Sequence, residues 1–118
     1  MIKIAIVDKM HEDGVNLLKN NPKFECEIIE DLSEKNLTST TFTGADLSGS
    51  NLNGVDFTAS DLTDVNLTDA SLIDTNLTKV KLTGADLTNA EIKDAIMVST
   101  VLTGANLTNT TITETEMF

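Results

Sequence analysis

The chain has 118 residues and a formal net charge of −11, with 19 acidic residues against 8 basic ones. That length suits one compact domain or one short repeat array. Every basic residue is a lysine, and Trp and Tyr are absent, so the sequence offers neither the basic clusters nor the stacking surfaces of a direct nucleic-acid binder.

The first segment, residues 1–34, reads as a small β-α-β unit. Ile2, Ile4, Ile6 and Val7 predict a strand, and Asp8 predicts the cap of a helix running through Leu17 and Leu18 and stopping before Pro22. Phe24, Cys26 and Ile28 alternate with Glu25 and Glu27, which predicts a second strand. Handedness makes the two strands parallel, and so small a sheet needs a body to rest on. The segment is therefore expected to cap whatever follows it. His11 and Cys26 have no convergent partners in the sequence, so no metal, cofactor or catalytic role is assigned to either. One cysteine permits no internal disulfide, and no stretch approaches the roughly 18 apolar residues of a membrane span. Residues 1–7 are too short for a secretory signal, so the expectation is a cytoplasmic protein without a membrane partner.

Composition changes near residue 35: residues 1–34 hold no threonine and residues 35–118 hold eighteen. From there a large apolar residue recurs at every fifth position, as Leu37, Phe42, Leu47, Leu52, Phe57, Leu62, Leu67, Leu72, Leu77, Leu82, Leu87, Ile92, Met97, Leu102, Leu107, Ile112 and Met117. A small residue stands two positions before nearly every one, and threonine usually follows. On a helix such centres would rotate by about 140° each and form no stripe, and on a straight strand they would alternate faces. The chain must instead turn once per repeat so that every centre faces one axis. Gly, Asp and Asn near the corners suit such turns.

Ala45-Asp46-Leu47-Ser48-Gly49, Ala85-Asp86-Leu87-Thr88-Asn89 and Ala105-Asn106-Leu107-Thr108-Asn109 resemble the pentapeptide-repeat family. The resemblance implies an all-β repeat fold: a right-handed quadrilateral parallel β-helix of about four coils over residues 35–118, with residues 1–34 as the N-terminal cap. Residues 1–34 are similar to the opening of D-2-hydroxyacid dehydrogenases, especially phosphoglycerate dehydrogenase, through Ile4-Ala5-Ile6-Val7-Asp8, the segment with Gly14, Leu17 and Leu18, and Asp31-Leu32-Ser33. That family's glycine motif and catalytic Arg, Glu and His have no counterpart here, so no activity is carried over.

Two surfaces stand out against the repeat. Ile96, Val98 and Val101 are apolar where other coils carry mainly polar residues, and with Phe118 they form the candidate interface. Asp64, Asp69, Asp74, Asp94 and Glu114 form a candidate acidic docking edge. Thr43, Thr63, Thr83 and Thr103 make one ladder and Thr68, Thr88 and Thr108 another, read as sheet-stabilising pairs. The expected function is a non-enzymatic structural or protein-interaction module, with homodimerisation through the C-terminal coil as one use. The alternative, implied by the family's quinolone-resistance members, is an acidic DNA mimic binding a type II topoisomerase (gyrase). A dehydrogenase remnant or fusion is the third reading. The repeat part carries net −7 over roughly 20 Å, where DNA of that length carries about −12.

Overall fold

The computed structural model describes the backbone of residues 2–7 and 24–29 and the whole of residues 32–118. The chain divides into two units, Met1–Asp31 and Leu32–Phe118. In the first, β1 (Ile2–Val7) pairs in parallel with β2 (Phe24–Ile29), in a register running from Ile2 opposite Phe24 to Val7 opposite Ile29. Both strands fall where alternation in the sequence puts them. The expected helix between Asp8 and Pro22, His11 with it, and the side chain of Cys26 lie outside the described residues.

The second unit is a parallel β-helix. Each outward residue before a centre bridges its counterpart twenty positions on, as Asp46 with Asn66, Asn66 with Asp86, and Asp86 with Asn106. Most contacts are single bridges; only β3 (Glu91–Lys93) and β4 (Thr111–Thr113) extend to three residues. Five residues per side and twenty per coil give four faces, named here by their first centres: Leu37, Phe42, Leu47 and Leu52. Glu34 donates its N–H to Asn53 at 2.8 Å, which sets Leu32 in the column of Leu52, where it is buried. The array therefore extends back at least to Leu32, whose phase with Leu52 is readable in the sequence, ahead of the boundary at residue 35 that composition suggests.

Three backbone bonds tie each side to the next coil. On the Leu47 face, Leu47 N–H donates to Asn66 (2.8 Å), Gly49 N–H to Thr68 (2.8 Å), and Asn66 N–H returns to Ala45 (2.9 Å). The corners are left-handed. Positive φ recurs at every fifth residue, through Gly44, Gly49, Gly54, Gly84 and Gly104 but also Ala59, Asp64, Lys79 and Asn89. Where the corner also closes a bond such as Ala45 N–H to Phe42 C=O (2.9 Å), it is a type II turn.

The interior is apolar and stacked. Leu47, Leu67 and Leu87 form one buried column, Leu52, Leu72 and Ile92 the next, Phe57, Leu77 and Met97 a third, and Leu62 and Leu82 a fourth. Phe42 meets Phe57 edge to face at 5.9 Å. Burying each such side chain contributes roughly 1.5–3 kcal/mol, so these columns are the main favourable term. Inward hydroxyls satisfy themselves on the backbone: Ser60 donates to Leu37 C=O (2.6 Å) and Thr75 to Leu72 C=O (3.0 Å).

Candidate functional site

The outward surface follows a rule that bears directly on function. The Asp or Asn before a centre turns its Oδ1 over the face and accepts the N–H of the residue after the centre. Asn36 takes Thr38, Asp46 Ser48, Asp56 Thr58, Asp61 Thr63, Asn66 Thr68, Asn76 Thr78, Asp86 Thr88 and Asn106 Thr108, all at 3.0–3.1 Å. In most of these pairs the hydroxyl donates to the same oxygen, as Thr78 does to Asn76 at 2.6 Å. Each pair is a clamp closed across its centre. The clamped threonines include Thr63 of one ladder and Thr68, Thr88 and Thr108 of the other, each bonded to the Asp or Asn two residues before it where cross-strand threonine pairs were expected.

The clamp also tunes charge. The Thr63 hydroxyl, then its amide, hold the Asp61 carboxyl below the usual aspartate range, with a further push from Lys81 against the opposing effect of burial. Asp86 is held low likewise by the Thr88 hydroxyl and amide, with a smaller contribution from Thr68. Acids in these outward columns are kept apart. On the Leu47 face the order is Asp46, Asn66, Asp86, Asn106, and among the described residues no outward column sets two carboxylates on successive coils.

Against this rule, the lapses stand out in space as they do in sequence. Ile96 and Val98 replace the Asn76–Thr78 clamp one coil on, flanking buried Met97 on the Leu37 face. Ile96 is 36% exposed and Val98 half-buried. Ser99 N–H donates to Phe118 C=O, which sets Phe118 in the column of Val98, and Phe118 is 88% exposed. Val101, also exposed, stands around the corner on the Phe42 face, in the column of Lys81. The four candidate interface residues thus divide three and one.

The acidic edge needs a larger correction. Asp64, Asp69 and Asp74 occupy three successive corners of one coil, and each bonds to a different stretch of the next: Thr83, Thr88 and Lys93. Asp64 shares its column with Gly44, Gly84 and Gly104, and its carboxylate lies over Gly84, where a Cβ would sit. Asp69 shares its column with Gly49, Asn89 and Asn109. Only Asp74, Asp94 and Glu114 stack, joined by Asp74 N–H to Lys93 C=O (2.9 Å) and Asp94 N–H to Thr113 C=O (3.2 Å). Period five puts consecutive corners on different sides of the coil, so closeness in sequence did not mean one edge. This column turns directly into the Leu37 face: only buried Ala95 separates Asp94 from Ile96.

No group of three or more His, Cys, Asp or Glu residues that could hold a metal occurs among the described residues, and among them no helix is long and apolar enough to cross a membrane.

A four-sided coil with clamped outer faces and a leucine interior is the architecture of a known class. In solved structures it is shared by Rfr23, a pentapeptide repeat protein from the cyanobacterium Cyanothece 51142, at TM-score 0.53 and 24% identity over 75% of this chain and 84% of that one. HetL, a pentapeptide repeat protein involved in heterocyst differentiation regulation in Nostoc sp. strain PCC 7120, matches at TM-score 0.51 and 27% identity over 69% of this chain and 42% of that one. QnrB1, a plasmid-mediated fluoroquinolone resistance protein, matches at TM-score 0.48 and 25% identity over 71% and 46%. The chain thus spans under half the length of HetL and of QnrB1. The likeness to Rfr23 and HetL, with the family match below, makes the second unit a right-handed quadrilateral β-helix. Residues 35–117 match the family model described as Pentapeptide repeat region, and the chain belongs to that family. No curated protein matches it. The family match starts at residue 35, so the dehydrogenase resemblance of the first segment rests on its sequence alone.

Proposed function

We propose that this protein is a non-enzymatic interaction module whose β-helix presents a binding surface centred on Ile96 and Val98. One observation carries the reading: a side chain that elsewhere on the Leu37 face closes a polar clamp is here apolar and open to solvent. Exposed apolar surface on an otherwise polar small body is characteristic of an interface. The outward carboxylates of Asp46, Asp56, Asp61 and Asp86, which acid–base chemistry would need free, are engaged by clamp donors instead, which supports a non-catalytic role.

The DNA-mimic alternative is less well supported, because alternation of Asp with Asn dilutes the outward columns where a mimic would need continuous charge. The interaction reading is tested by affinity capture with quantitative mass spectrometry, comparing the intact chain with an Ile96→Asn/Val98→Thr variant. Recovery of a partner by the wild type and its loss with the variant is expected. Identical recovery by both would sink the assignment, and supercoiling inhibition by the variant and wild type alike would favour the mimic.

A further inference from the structure

We propose that the apolar lapse on the Leu37 face and the acidic corner beside it form one docking surface, for a protein segment that carries apolar side chains next to lysine or arginine. This deepens the interaction reading above and rests on it. The two features adjoin in the sequence at Asp94-Ala95-Ile96, and the coil register extends that adjacency into parallel columns. Asp74, Asp94 and Glu114 line one edge, Ile96 and Glu116 form the next column, and Val98 and Phe118 the column beyond.

Three observations select the occupant. First, this corner is the single place among the described corners and outward columns where acids stand on successive coils, about 4.8 Å apart. Elsewhere an amide, a glycine, a lysine or an apolar residue intervenes. Second, no ion pair neutralises Asp74, Asp94 or Glu114 among the described residues, and none of the three is clamped; each is exposed at its corner. Stacked like charges are unfavourable until an opposite charge arrives. Lys93, on the neighbouring Leu52 face, is the nearest cation in the register, and with Glu91 and Glu116 also present the region stays negative. Third, the apolar rank runs parallel to the acidic one, so a partner must satisfy both at once.

That combination rules against the other occupants. Nucleic acid and an anionic lipid surface would both meet the acidic corner with like charge. A second copy in face-to-face contact would crowd Asp74, Asp94, Glu114 and Glu116 against their own kind. A basic amphipathic segment buries its apolar side chains on Ile96, Val98 and Phe118 while its cations reach the corner. Such charge complementarity fixes orientation as well as strength.

The test uses the full chain and three short fluorescent peptides: one alternating leucine with lysine, one all lysine, and one alternating leucine with glutamate. Anisotropy should show binding of the leucine–lysine peptide that weakens as NaCl rises, with the other two at least about tenfold weaker. Ile96→Asn/Val98→Thr, which rebuilds the clamp of the preceding coil and so preserves the fold, should lose about tenfold in affinity. Asp94→Asn/Glu114→Gln should lose a similar factor, whereas Asp69→Asn, on another corner, should lose nothing. Thermal melts of each variant confirm folding. Equal affinity for the all-lysine peptide, or unchanged affinity in either double variant, overturns the proposal. So does a wild-type dimer in light scattering that Ile96→Asn/Val98→Thr dissociates, which would make a second copy the occupant and leave the interaction reading standing. Absence of binding by all three peptides overturns the basic-segment assignment, while the capture experiment judges the interaction reading separately.

Discussion

The Leu47 and Leu37 faces share one interior and one backbone ladder, yet they present different outsides. On the Leu47 face every coil keeps its clamp, from Asp46–Ser48 through Asn106–Thr108. On the Leu37 face the clamp holds for Asn36, Asp56 and Asp-like Asn76, and then gives way to Ile96 and Val98. The contrast separates what the fold requires from what it permits. Apolar centres inside are required; a polar clamp outside stabilises but can be given up where the surface serves another purpose.

The largest effect should come from the shared interior. Leu77→Ala and Leu87→Ala, one under each face and both almost fully buried, should each cost about 2–5 kcal/mol in denaturant unfolding. Similar losses would confirm a common core. A much smaller loss for Leu77 would mean that the two faces differ inside as well as outside.

The clamp comes next. Asn76→Ala should cost about 0.5–1.5 kcal/mol, the net worth of an ordinary hydrogen bond. Adding the clamp back with Ile96→Asn/Val98→Thr should hold or raise the unfolding midpoint. If Asn76→Ala is silent, the clamp is ornament and the contrast between faces loses its energetic meaning.

Corners of both faces give a smaller effect. Ala59, at φ +61°, adopts a conformation that favours glycine, so Ala59→Gly should gain about 0.5 kcal/mol, strain relief exceeding the added chain entropy. Gly104→Ala, at φ +71° where a Cβ would meet only the Gly84 nitrogen at an ordinary 3.9 Å, should lose about 1 kcal/mol from backbone strain.

The smallest effect lies in pH. Asp61 and Asp86 are held below the ordinary aspartate range by their clamps. A carboxyl with a depressed folded pKa contributes its stability fully above the unfolded value, about 3.9, and loses it as pH falls through the folded one. The melting temperature should therefore decline on acidification below about pH 4. Asp86→Asn keeps an acceptor, as Asn66 and Asn106 do on the same face, but cannot titrate, so its decline should be shallower. An unchanged slope would show that the Asp86 clamp is not coupled to folding.

Much of this architecture was legible because period five leaves the chain few options. The centres and the two N-terminal strands follow from apolar spacing, the twenty-residue columns from the pentapeptide-repeat resemblance, and the lapse at Ile96 and Val98 is visible as apolar residues at outward positions. Two features were not legible. The role of the outward Asp or Asn needs its Oδ1 and the threonine hydroxyl placed in space, since a polar residue that merely faces solvent has the same letters. The acidic edge kept its stack of Asp74, Asp94 and Glu114 and lost Asp64 and Asp69, because residues five apart turn away from each other by a quarter of the coil, whereas Asp94 and Ile96 share a corner. Angular position around the axis, not separation along the chain, decides which residues make a surface.

The clamp has a practical consequence for producing the protein. Asn36-Leu37-Thr38, Asn66-Leu67-Thr68, Asn76-Leu77-Thr78 and Asn106-Leu107-Thr108 each spell the acceptor tripeptide for N-linked sugar. In this fold the spelling arises because an amide oxygen must reach the threonine two residues on. A host that glycosylates secreted chains would read the same letters before the coil forms and load bulky glycans onto the two faces contrasted above. Expression in a host without N-linked glycosylation keeps the meaning that the coil gives those letters, whereas threonine-to-alanine changes would remove clamp hydroxyls such as those of Thr78 and Thr108.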